Sequence, residues 1–268
     1  MTQTSTLKKS DPKLEQLAQY LTDNGFSGNI PINEGAKNWR AIRELIHREE
    51  FYTFGIDKIK RRLKAKELSA NLVRDILIAA SGLDLKRFNF KGAGYFDPAK
   101  SATALAITMQ QLKIAASAGQ TILFATGHPG AMVGFLEELA GYARKLGAKI
   151  VSIDQAIHVN DIYYLDRLGS VLVPSDACSA WHSHETSYME KFLELNPDLE
   201  IDLVVGDHGF VGASLNHNIA CIGFYDTDDP AMPLAQHLGL PVLAVPINDN
   251  RFNADSGALG RYLISNFG

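Results

Sequence analysis

A chain of 268 residues, 46% hydrophobic and 21% charged, has the composition of a globular protein long enough to bury a sizeable core. Its formal net charge of −4 gives no electrostatic reason to expect nucleic acid or an anionic membrane as partner. Two cysteines, Cys178 and Cys221, exclude a disulfide scaffold and a CxxC metal site, and no apolar run approaches the ~20 residues that span a bilayer.

The opening "MTQTSTLKKSDPKLEQ" is polar and lacks the apolar stretch of a signal peptide, so a cytoplasmic location is expected. Residues 1–118 show no convincing strand. Leu14, Leu17 and Leu21, and later Val73, Ile76, Leu77 and Ala80, recur at helical spacing. Two breaker-rich stretches, 23–35 and 82–98, separate the helices, and Asp97-Pro98 starts another one. From residue 119 short apolar runs alternate with helical patterns. Strands are expected at 121–126, 149–153, 170–174, 202–206, 220–225 and 241–246. Between the first two, Met132, Phe135, Leu136, Leu139, Ala143 and Leu146 form a helical stripe that Gly147 ends. Near-continuous apolar strands alternating with helices predict an α/β fold, a mainly parallel Rossmann-like sheet flanked by helices. The expected division is a helical N-terminal region, 1–118, serving as a cap or as the surface of a homodimer, and a catalytic α/β domain, 119–268.

Ligands of open α/β sheets bind beyond the carboxyl ends of the strands. Polar clusters fall at five such tips: Gly127-His128, Asp154, Asp207-His208, Asp226 to Asp229, and Asn248-Asp249-Asn250. In "ATGHPGAMVG", Gly127 and Gly130 permit a tight turn into a helix whose free amides suit an anion. His128 suits phosphate binding or proton transfer, or it is a plain exposed turn residue. In "GDHGFVGAS", Asp207 either ligates a hard cation, orients His208, or caps the next helix. "FYDTDDPAM" places Asp226, Asp228 and Asp229 in one bend, where they repel unless a cation, a base or solvent compensates. Asp229 before Pro230 also makes a good helix start. "SAWHSHETSYMEKF" supplies an HxH pair, His182 and His184, able to hold metal or to line a substrate lid. His158 with Asn160-Asp161 lies in a connection able to face the pocket. No GxSxG elbow and no P-loop is present.

The segments "TILFATGHPGAMVGFLEELA", "DLVVGDHGFVGAS", "FYDTDDPAM" and "VPINDN", together with "NWRAIRELI", resemble a poorly characterised bacterial phosphatase family common in actinobacteria. The resemblance runs from about residue 36 to the end. It implies a phosphatase-like α/β domain with its site around His128, Asp207, His208 and the aspartates at 226 to 229. More distantly, the run from "TGHPGAMVGFLEEL" to "HVNDIYYL" is similar in order to damage-control phosphatases. Those place an Asp-Asn pair where this chain has Gly127-His128, so the similarity bears on fold and not on ligands.

The expected function is a metal-assisted phosphatase acting on a small phosphorylated metabolite. Asp207, Asp226, Asp228 and Asp229 are the candidate ligands of a divalent metal, Mg²⁺ or Mn²⁺. His128, His208 and Asp207 are the candidate catalytic residues. Gly127, Gly130, His182, Asn248 and Asn250 are the candidate substrate-binding ones. Two rivals stand beside it: a nucleotide- or sugar-phosphate-binding protein that does not hydrolyse, and a metal-free hydrolase or lyase using His128 and Asp207.

Overall fold

The computed structural model describes residues 11–83 and 92–268. The first part is helical: α1 (Pro12–Asp23), α2 (Gly35–Ile46), α3 (Glu50–Thr53), α4 (Asp57–Lys64), α5 (Ala70–Ser81) and α6 (Pro98–Ser117). Their caps follow the sequence. Asp11, Ser69 and Asp97 accept bonds from first-turn amides, and Pro98 opens α6 as expected. One reading is corrected. The breaker-rich stretches contain β1 (Gly28–Glu34) and β2 (Ala93–Phe96), which pair antiparallel with Gly28 opposite Phe96 and Ile30 opposite Gly94. Each strand is stabilised by a partner about sixty residues away, which local pattern cannot reveal. The rest of the expected 82–98 loop, residues 84–91, lies outside the described residues.

The second part contributes β3 (Thr121–Ala125), α7 (Pro129–Lys145), β4 (Lys149–Ile150), β5 (Ile157–His158), β6 (Tyr164–Leu168) and β7 (Val171–Ser175). It continues with α8 (Ser187–Leu195), β8 (Leu203–Gly206), α9 (His208–Asn216), β9 (Ala220–Tyr225), α10 (Ala231–His237), β10 (Val242–Pro246) and α11 (Asn253–Phe267). The main sheet runs β10-β9-β8-β3-β7-β6-β5; the first five strands are parallel and the β6–β5 wing antiparallel. The expected strand at 149–153 is shorter in the structure. After Ile150 the chain leaves the sheet and β7 takes over the second half of β3. The chain first builds the β7 side of β3 and then returns to place β8 on its other side. The crevice at the tips of β3 and β8 is therefore the topological switch point.

Alternate strand residues feed two separate cores. Ile122, Phe124, Val205 and Phe224 pack with α1, α6, α7 and α11 on one face. Leu123, Ala125, Val204 and Tyr225 pack with Ile42, Phe54, Ile59, Val73 and Phe210 on the other. Residues from both sides of position 118 share each core. On the outer strand β10, the amide of Val242 donates to Leu240 O, that of Ala244 to Gln236 Oε1, and Pro246 has none. No described helix is long and apolar enough to cross a membrane.

Candidate active site

Asp207 follows β8 directly and is 1% exposed. It stands at the N-cap position of α9 but makes no side-chain cap bond. Its Oδ2 accepts from Thr126 Oγ1 at 2.5 Å and its Oδ1 from Gly127 N at 2.6 Å, both just past the tip of β3. The same Oδ1 lies 2.7 Å from His208 Nδ1. A buried carboxylate needs such partners, because desolvation penalises its charge. His208, also buried, has φ of 48°, a left-handed backbone that a non-glycine residue adopts at a cost. Burial presses its pKa down, but Asp207 outweighs that with help from Asp229 and Asp249, and it is pushed up to about 9.

The loop before α8 lies across these tips. A Cβ on Gly127 would collide with Ser183 O and one on Gly209 with Glu185 O, so both glycines let the loop approach. The loop delivers His182 and His184. With His128 and His208 they form a chain of rings, at centroid distances of 4.3 Å (128–182), 4.8 Å (182–184) and 4.1 Å (184–208). His184 Nδ1 lies 2.8 Å from Phe51 O. A carbonyl only accepts, so Nδ1 carries the proton and Nε2 keeps its lone pair. That nitrogen faces His182 Nε2 at 2.9 Å. Burial and the neighbouring imidazoles hold both histidines low, His182 at about 4 and His184 well below the ordinary value.

The acid cluster closes the other side. Asp229 Oδ2 is 3.9 Å from His208 Nε2, and Asp249 Oδ2 is 3.5 Å from His128 Nδ1. Burial and neighbouring carboxylates raise Asp226 and Asp229 well above the usual range. Burial also disfavours the charge of Asp249, but His128 and His208 overcome it and hold that carboxyl low. Ligand atoms of His182, His184 and His208 lie within 4.8 Å of one another, and so do those of His208, Asp229 and Asp249. Buried acids that repel, beside His182 and His184 kept neutral, are what a cation would relieve, and it would take the place of the proton on His208; these residues fit a divalent metal.

The remaining expected site residues fall as follows. Asp226 accepts from Thr227 N and from Asn250 Nδ2, and Asn250 also donates to Asp249. Asp228 is turned outward onto Lys37. Asn248 anchors its loop to Gly25 O and Phe26 O. The amides of Gly127 and His128 are used by Asp207 and Thr126, and Gly130 opens the first turn of α7 with nothing near its Cβ position. Asp154 is exposed, and Asn160 folds the β5–β6 turn by accepting from Ile162 and Tyr163 amides. Asp249 was legible only as part of a polar tip and His184 only as half of an HxH pair. Thr126, Phe51 and Lys37 gave no signal of their own.

A hollow of about 390 Å³ bounded by Glu49, Glu50, Phe51, Glu185 and Ser187 opens beside His184. Larger hollows, about 490 Å³ between α6 and β10 and about 600 Å³ at the amino ends of β3 and β4, lie among other residues and carry no such cluster.

Comparison with known proteins adds two findings. A family model described as Phosphatase matches residues 12–268. Phosphatase SCO2771 of Streptomyces coelicolor is 28% identical over 242 residues, covering 89% of this chain and 90% of that protein.

Proposed function

Because the chain belongs to this phosphatase family, we propose that it is a metal-dependent phosphomonoesterase acting on a small phosphorylated metabolite. The observation that carries this reading is the convergence of His182, His184, His208, Asp229 and Asp249 at the switch point. Mixed imidazole and carboxylate donors favour Mn²⁺ or Zn²⁺ over Mg²⁺ within the divalent class. When bound, such an ion supplies Lewis-acid polarisation of a phosphoryl oxygen and a more acidic water.

The chain's own residues supply the rest. Asp207 fixes the His208 ring through Nδ1, so that Nε2 faces Asp229. Phe51 O does the same for His184, leaving the lone pair of Nε2 toward His182 Nε2. Burial opposes a charge on His128, but Asp249 outweighs it and raises the pKa, which favours a proton on the imidazole. With Nδ1 toward Asp249, Nε2 of His128 is the atom that passes a proton to the departing alcohol oxygen. The hollow beside His184 accommodates an alcohol of metabolite size.

The test is phosphate release from a panel of phosphomonoesters by chelator-treated protein, with and without Mn²⁺, Zn²⁺ or Mg²⁺. Release restored by a divalent ion is expected. Release indifferent to chelator overturns the metal reading. No release from protein shown to bind the ion moves the reading to a phosphate-binding protein.

A further inference from the structure

The acid loop after β9 is covered by the first part of the chain, at three points. Gly94 of β2 lies so close that a Cβ there would meet Thr227 Oγ1 at 2.6 Å and Asn33 O at 2.7 Å. Thr227 Oγ1 donates to Asn38 Oδ1 at 3.2 Å. Lys37, in the first turn of α2, reaches Asp228 Oδ2 at 2.8 Å and Asn33 Oδ1 at 2.6 Å. Burial opposes the ammonium, but Asp228, and beyond it Asp226 and Asp229, outweigh this and keep it charged.

Two features set this group apart from a surface ion pair. Asn33 is fully buried, yet its Nδ2 has no hydrogen-bond partner, an arrangement that costs free energy. The Lys37 side chain beside it is half exposed, so it has room to leave Asp228 for an incoming group. Here an ammonium, held by the oxygen of a buried amide that has an unsatisfied N–H, stands at the edge of a carboxylate cluster. An anion with several acceptor oxygens takes the ammonium over from Asp228 while Asn33 Oδ1 still holds it from behind.

We infer that Lys37, backed by Asn33, binds the phosphate of the substrate, and that Asp228 holds the ammonium in place until the phosphate displaces it. The recognised group is a terminal phosphate dianion, which has oxygens both for the lysine and for the centre between the histidines. This inference rests on the phosphatase reading above. It assigns Asp228 to the lysine, whereas Asp229, one residue on, faces His208.

The experiment is calorimetric titration of Mn²⁺-loaded protein with inorganic phosphate, for the parent, Lys37→Met, Lys37→Arg and Asp228→Asn, beside a Mn²⁺ titration of each. Lys37→Met is expected to weaken phosphate by roughly tenfold or more, the worth of a charged hydrogen bond, while Mn²⁺ affinity stays within about twofold. Lys37→Arg is expected to restore most of the binding. Asp228→Asn is expected to tighten phosphate by severalfold, because the ammonium is freed. Phosphate binding by Lys37→Met equal to the parent's overturns the inference. So does parent protein that binds no phosphate, or Asp228→Asn that loses Mn²⁺. These outcomes are read from binding, so they are distinct from a parent enzyme that releases phosphate without metal, which overturns only the preceding reading.

Discussion

The strand β8 has an aspartate at each end, and the two make the same attachment in different surroundings. At its amino end Asp202 is exposed; its Oδ2 accepts from Thr121 N at 2.8 Å, and its own amide donates to Thr121 O at 3.0 Å. At its carboxyl end Asp207 accepts from Thr126 and Gly127, at the other end of the same neighbour, β3. Both pin β8 to β3. Water solvates the first carboxylate, whereas the second is dry and is balanced by His208. A strand-end aspartate is thus a clip by default, and what makes it chemical is burial beside a titratable ring.

Four changes probe this contrast. Removing a group that only the buried end possesses should matter most. His184→Ala is expected to lower metal affinity and metal-dependent phosphate release by about a hundredfold or more, as read by metal titration and initial rates. Asp207→Asn comes next. Its amide oxygen still accepts from Gly127, but His208 loses its counter-charge, and urea unfolding should show a loss of about 2–4 kcal/mol with a reduced turnover. Gly127→Ala forces the histidine loop, through Ser183 O, away from the tip of β3 and should cost about 1–3 kcal/mol, measured in the same way. Asp202→Asn at the exposed end should cost under about 1 kcal/mol and leave phosphate release as in the parent. If the two aspartate substitutions cost the same, burial is not what separates the two ends.

The sheet was largely legible because its strands are apolar on both faces and end in polar or glycine residues, a pattern that local sequence carries. β9 lies at the expected 220–225, and β3, β8 and β10 lie within a residue of the expected bounds. So was the edge on which the site lies, from the shared placement of Gly127-His128, Asp207-His208 and the acids after β9. The assignment of roles was not legible. Asp228 and Asp229 are neighbours with one composition, and only the turn between them sends one to Lys37 and the other toward His208. Phe51 acts through a backbone carbonyl, which every residue has. Lys37 lies nearly two hundred positions before its partner, and the strand that carries Asn33 is defined by pairing with a segment just as unreadable locally.

The outer strand of the main sheet has a consequence for self-association. Parallel sheets grow by adding a strand to whatever donors an edge leaves open. On β10 the outward amides of Val242 and Ala244 are already spoken for, and Pro246 brings none. A second copy finds no ladder to extend there, so continuous sheet growth from this edge is blocked at three successive outward positions. Strand addition at β10 is therefore not the route by which two copies of this protein would join.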